Sequence, residues 1–327
     1  MSRSEGLAVT AGDATLAGTL TLPDAPPDER GRYPAALLLP SWLPRDRDGA
    51  WDRTAHAAWF APQAVAERER GLLGRLAIAL ADAGVASLRC DPRGCGTSEG
   101  VWEEAALFTR IDDARDMLAA MRSQPALDLR RTAIVGHGEG ATLALSVAIS
   151  DPAVSALALI GASARSWRDV FRRGVAARDR DGTDRQHPLV AALDARSEEL
   201  IERAERREQS IELRMPDGPL TLSLAGTEQA IHTPPLALAT MLHRSVALFH
   251  GAEDRWSHPD ESALLAEALR GGGNRPSMRV IPDAAHDLAE APDSLLAEVA
   301  ADLADRISVV DLPPVLVAIE EMGGTLQ

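Results

Sequence analysis

Apolar and polar positions along the chain fall into short strand-like runs separated by helical patterns. Leu16-Ala17-Gly18-Thr19-Leu20-Thr21-Leu22 alternates and stops at Pro23, which predicts an antiparallel edge strand. Ala35-Ala36-Leu37-Leu38-Leu39 is apolar throughout, the pattern of a strand covered on both faces. Leu72, Leu73, Leu76, Ala77 and Leu80 recur at helical spacing and predict a helix over 64–83. Further strands are predicted at Val85–Cys90, 132–136, Val154–Gly161, Ser245–Gly251 and Ser277–Ile281, with helices near 107–122 and 293–307. Strands alternating with helices imply right-handed crossovers and a mainly parallel sheet.

Between about 163 and 243 that rhythm breaks. Residues 164–180 and 188–208 are Arg-rich and helical in pattern, and two alternating runs between Ile211 and Leu224 flank Met215-Pro216-Asp217-Gly218-Pro219, a hairpin signal. An insertion over the sheet accounts for this better than another crossover unit. The expected organisation is a core of 1–162 and 244–307, a mainly helical cap of 163–243, and a tail of 308–327. Val309, Val310, Leu312, Val315, Leu316 and Val317 make that tail too apolar to hang free. It is expected to pack on the core or on the partner subunit of a homodimer.

The candidate chemistry centres on Ala133-Ile134-Val135-Gly136-His137-Gly138-Glu139-Gly140-Ala141. A β-branched run ends at a glycine-dense turn and small helix-forming residues follow, the layout of an elbow that presents a nucleophile above a sheet. The pattern G-x-S-x-G asks for serine where this chain has Gly138. Two further pieces follow: His250-Gly251-Ala252-Glu253-Asp254, an acid just past a core strand, and Ile281-Pro282-Asp283-Ala284-Ala285-His286, a histidine past the last strand. Asp254 is suited to orient the His286 ring so that its other nitrogen works as a base. The looser dinucleotide pattern Gly136-x-Gly138-x-x-Ala141 is set aside, because several strands precede it and no acid follows the next strand.

These pieces, with Asp91-x-Arg93-Gly94-x-Gly96-x-Ser98, stand in an order that resembles the α/β-hydrolase superfamily over roughly residues 10–307. The likeness is nearest to its esterase, peptidase and thioesterase-like branch with an inserted cap. The resemblance implies an α/β fold with a doubly wound sheet and oxyanion donors at the amides of Trp42 (with Ser41) and Glu139. Pro40-Ser41 stands where the family has a His-Gly pair. His137, Trp51, Trp59 and Trp102 are candidate substrate-binding residues.

Composition narrows the functions. The 327 residues carry 34 basic and 49 acidic side chains, a formal charge of −15, so nucleic acid and anionic membrane are not expected partners. Every basic side chain is Arg, which excludes lysine Schiff-base chemistry. Cys90 and Cys95 match neither C-x-x-C nor a paired metal spacing, and the remaining histidines, including His56, His187, His232, His243 and His258, show no ligand spacing. Neither a metal nor a cofactor is expected. No apolar leader follows Met1, so a cytoplasmic location is expected.

Three readings stay open. The first is a serine-less pocket enzyme using His286 and Asp254 on a carbonyl-containing small molecule, in non-hydrolytic or weakly hydrolytic chemistry. The second is a serine esterase or thioesterase inactivated by serine-to-glycine replacement at 138. The third is a catalytically dead binding or scaffold protein. Ser41 and Cys95 remain minor candidates for a migrated nucleophile.

Overall fold

A computed structural model describes residues 2–53, 59, 71–181, 187–289 and 291–307. Eight strands form one sheet: β1 (Arg3–Ala11), β2 (Ala14–Leu22), β3 (Tyr33–Leu39), β4 (Ala86–Cys90), β5 (Leu127–His137), β6 (Val154–Ile160), β9 (Ser245–Gly251) and β10 (Ser277–Ile281). Their spatial order is β1-β2-β4-β3-β5-β6-β9-β10. β1 and β2 pair antiparallel, β2 joins β4 antiparallel, and every pairing from β4 to β10 is parallel.

The edge prediction for Leu16–Pro23 is corrected here. β2 lies inside the sheet, and β1 is the edge strand. β1 hides only Val9 and Ala11 while most of its other side chains face solvent, so its sequence carries little strand pattern.

The unbroken apolar runs are explained by helices on both faces. Leu37, Leu39, Ile134, Leu157, Leu159 and Leu248 point to one side, toward α2 (Leu107–Arg122), α3 (Glu139–Ser150) and α9 (Asp260–Gly271). The alternate residues Leu38, Val135, Ala158, Ile160 and Phe249 point to the other, toward α1 (Leu72–Asp82) and α10 (Asp293–Arg306). One-residue alternation along each strand thus feeds two separate cores. The described part of the helix expected over 64–83 begins at Leu72; residues 60–70 and the tail 308–327 lie outside the described residues.

Between β6 and β9 the chain forms α4 (Trp167–Asp181), α5 (Pro188–Ala195), α6 (Ser197–Glu205), the hairpin β7 (Ser210–Met215) and β8 (Gly218–Ser223), α7 (Ala225–His232) and α8 (Pro235–Met241). Leu189, Leu193, Leu200, Ile201, Ile211, Leu213 and Leu222 give this insertion its own apolar cluster, joined by Leu43, Trp59 and Trp102 from the body. α8 packs on α3 and α9, so the last helix of the insertion rests on the main body. Among the described residues no helix is long and apolar enough to cross a membrane.

Candidate active site

The elbow between β5 and α3 is built by close backbone approach. A Cβ on Gly140 would stand 2.3 Å from the Leu39 carbonyl oxygen and 2.7 Å from that of Pro40. Only a glycine lets the start of α3 press against the end of β3. The same contact brings the loop after β3, with Ser41, up to the elbow. Gly138 itself has φ 57° and ψ −119°, a conformation that strains any side chain and costs glycine little. Its N–H donates to the Ile160 carbonyl oxygen (2.9 Å) and its own carbonyl accepts from Ala141 N–H (3.1 Å), which fixes the turn to β6 and α3.

His286 sits on the loop after β10. Its Nδ1–H donates to Asp254 Oδ2 at 2.7 Å. In the neutral ring that leaves Nε2 as an acceptor, 3.0 Å from the point an ideal Cβ on Gly138 would occupy. Asp254 is buried: Oδ1 accepts from the Trp256 and Ser257 amides, each at 2.8 Å, and Oδ2 also lies 3.0 Å from His250 Nε2. Burial pushes the Asp254 carboxyl up, but the two rings more than offset this and hold it well below the usual carboxylate range.

His250 is the residue that sequence reasoning passed over. Completely buried, it donates from Nε2 to the Ser257 carbonyl oxygen (2.6 Å), and its Nδ1 meets Ser262 Oγ at 2.6 Å. It approaches the same Asp254 oxygen, Oδ2, that His286 holds. A histidine four residues before the acid is the only signal the sequence offers.

The cleft above the elbow holds about 820 Å³ of space, part of it open to solvent. Ser41, Trp42, Gly138, Glu139 and His286 line it, with Trp167, Phe171, Arg165 and Trp256 opposite. Glu139 is the first residue of α3, so its N–H is one of the four that no helix carbonyl can accept. Its side chain turns away from the chemistry to meet Arg110 at 2.8 Å; burial raises its pKa and Arg110 partly counters that.

Four predicted substrate contacts are placed elsewhere. His137 is buried beneath the loop, donating from Nε2 to the His286 carbonyl oxygen at 3.1 Å. Burial, then the His286 ring, pushes its pKa from the ordinary 6.5 down to about 3. Trp51 stacks on His187 at 3.7 Å, with the Arg45 guanidinium 4.2 Å from its ring centre. Trp59 donates from Nε1 to Asp217 Oδ1 at 3.0 Å, fastening the body to the β7–β8 hairpin. Trp102 donates to the Trp42 carbonyl oxygen at 2.8 Å and stacks on Trp42, so it backs a cleft residue instead of lining the cleft. The aromatic wall comes instead from Trp167 and Phe171, stacked at 4.3 Å on α4, and from Trp256 beside the acid.

Among the described residues no group of three or more His, Cys, Asp and Glu side chains is placed to hold a metal ion. Burial pushes the Cys90 thiol up to about 12 and the Cys95 thiol higher still, which makes both inert. Ser98 is engaged in the turn, donating to the Asp91 carbonyl oxygen (2.7 Å) and accepting from Ala17 N–H (2.9 Å).

Solved structures with this architecture include Est1E from Butyrivibrio proteoclasticus with ferulic acid bound, at 15% identity, TM-score 0.63, over 92% of this chain and 99% of that one. Another is the α/β hydrolase GrgF from Penicillium sp. sh18, at 16% identity, TM-score 0.61, over 93% and 99%. The acylaminoacyl peptidase of Pyrococcus horikoshii shares 14% identity, TM-score 0.61, over 96% of this chain and 43% of that larger one. A search of the curated proteins found no match. The family model described as serine aminopeptidase, S33, matches residues 68–293. With the sheet order, the elbow and the acid–histidine pair already in place, the chain belongs to the serine aminopeptidase S33 family of α/β-hydrolases.

Proposed function

We propose that this protein is an enzyme in which the His286–Asp254 pair performs acid/base chemistry on a carbonyl-containing small molecule, without a serine at the elbow. The observation that carries it is the 2.7 Å bond from His286 Nδ1 to Asp254, with Nε2 turned toward the cleft over Gly138. Asp254 fixes the tautomer, and Nε2 takes a proton from the bound substrate, from water or from a neighbouring hydroxyl. The Glu139 amide at the head of α3 is suited to polarise a carbonyl oxygen, and Trp42, whose amide is the second donor in this reading, also lines the cleft. Trp42, Trp167, Phe171 and Trp256 favour an apolar or aromatic group beside that carbonyl, and the 163–243 segment serves as the cap over it.

The deciding experiment compares wild type with His286→Ala on a panel of p-nitrophenyl esters, thioesters and enolisable carbonyl compounds. General-base action predicts a loss of about 10²- to 10⁴-fold. Turnover of every active substrate unchanged in His286→Ala would end this reading.

A serine hydrolase disabled at one position is the second reading, favoured by the positive-φ elbow and the nearness of His286 Nε2. It predicts fast ester hydrolysis on Gly138→Ser alone. Against it, the new Cβ would meet Ser41 Oγ at 2.7 Å, so the Ser41 hydroxyl would have to turn aside to admit a serine at 138.

A further inference from the structure

We propose that Ser41, on the loop after β3, is the nucleophile of this enzyme, acting in the place left by Gly138 on esters or thioesters; the proposal rests on His286 being the base. Ser41 Oγ and His286 Nε2 lie 2.7 and 3.0 Å from one point, the ideal Cβ position of residue 138. The hydroxyl therefore stands beside the space where this fold carries its serine, on the same side as His286 Nε2, although no hydrogen bond joins the two among the described residues. The backbone contact between α3 and the Leu39 and Pro40 carbonyls holds the Ser41 loop there.

Two properties of Ser41 separate it from an ordinary loop serine. A loop serine usually satisfies itself on local backbone. Among the described residues Ser41 Oγ has no hydrogen-bond partner, although the residue is 9% exposed and lines the cleft. The unpartnered hydroxyl oxygen is not itself buried, so it opens into the cleft, toward a substrate-sized space. The competing nucleophiles are the two cysteines, whose thiols burial keeps protonated.

The step balances without a further reactant class beyond water. Ser41 Oγ adds to the acyl carbon as its proton passes to His286 Nε2, and the oxyanion that forms is held by amide donors, the Glu139 N–H foremost. The bond from carbon to the leaving oxygen or sulfur then breaks, and the leaving group takes the proton back from His286. Water attacks the acyl–Ser41 ester, giving its proton to His286, and the acid departs with the Ser41 hydroxyl restored.

A fluorophosphonate tests this without knowledge of the natural substrate, since phosphorus–oxygen bond formation at the nucleophile expels fluoride. Wild type, Ser41→Ala, Ser41→Cys and His286→Ala are treated and mapped by peptide mass spectrometry, with near-ultraviolet circular dichroism reporting that each is folded. One adduct on Ser41, absent from Ser41→Ala and formed about 10²-fold more slowly or less in His286→Ala, is the expected result. In Ser41→Cys, iodoacetamide should modify residue 41 faster at pH 8 than Cys90 or Cys95. No adduct on folded wild type, or one that survives Ser41→Ala, would overturn the proposal. Ester turnover lost in His286→Ala but kept in Ser41→Ala would also overturn it, while leaving the general-base reading intact; turnover indifferent to His286 would remove both.

Discussion

His137 makes the acid sensitivity of this fold calculable. In the folded chain the ring is buried under the His286 loop and its pKa stands at about 3, whereas the unfolded chain offers an ordinary histidine near 6.5. Between those values the unfolded state binds a proton that the folded state refuses, so stability falls as the pH is lowered from 6.5 toward 3 and levels off below. The slope reaches about 1.4 kcal/mol per pH unit. From about pH 7 to about pH 4.5 the integrated loss from this one residue is about 2.5 kcal/mol. The matching perturbation is His137→Gln, whose amide can still donate to the His286 carbonyl oxygen but cannot titrate. Urea unfolding of both proteins at four or five pH values across that window isolates the term, because every other group titrates alike in the two. The variant's curve should be shallower by about 2.5 kcal/mol over the window, whatever its stability at neutral pH. Parallel pH profiles for the two proteins would show that His137 takes its proton as readily folded as unfolded, and the account of the buried ring would be wrong.

Three further outcomes follow from the same geometry. In Asp254→Asn the oxygen stays on the Trp256 and Ser257 amides, so the NH₂ group confronts the His286 Nδ1–H donor; His286 must change tautomer, and turnover should fall by about 10⁴-fold. The same variant should lose the wild type's added acid sensitivity below about pH 3.8, because the depressed Asp254 carboxyl stabilises above its unfolded value and ceases to as it protonates. Arg110→Met leaves Glu139 buried without its cation, which should cost about 3–5 kcal/mol at neutral pH in urea unfolding, with the deficit shrinking as acid protonates Glu139. Gly140→Ala drives a Cβ into the Leu39 and Pro40 carbonyls and should cost about 1–3 kcal/mol; equal stability would show that α3 has room to retreat.

The sheet was legible because its parallel strands are covered on both faces. Ala35–Leu39 and Val154–Ile160 can be uniformly apolar only where helices shield each side, and periodicity reports that. β1 was illegible for the opposite reason, since its residues 3–8 face solvent or the sheet rim and carry no alternation. The elbow, Asp254 and His286 each follow a recognisable strand end, so the site's centre could be read in order along the chain. The walls could not. Trp51 and Trp59 share the loop after β3, yet what they touch is His187 and Asp217, more than 120 residues away. Whether a loop tryptophan meets substrate or insertion is decided by chain crossings that local spacing does not encode. The neighbourhood of Ser41 and Gly138 is hidden in the same way, for it depends on how tightly α3 abuts β3.

That neighbourhood constrains how the protein can change over generations. With the Ser41 hydroxyl crowding the Cβ position of 138, a side chain at 138 requires the one at 41 to leave its present position. A lineage carrying serine at the elbow would have to turn the residue 41 side chain away or shrink it. Substitutions at 41 and 138 are therefore expected to be inherited as a pair, and a family tree split by one should be split at the same branch by the other.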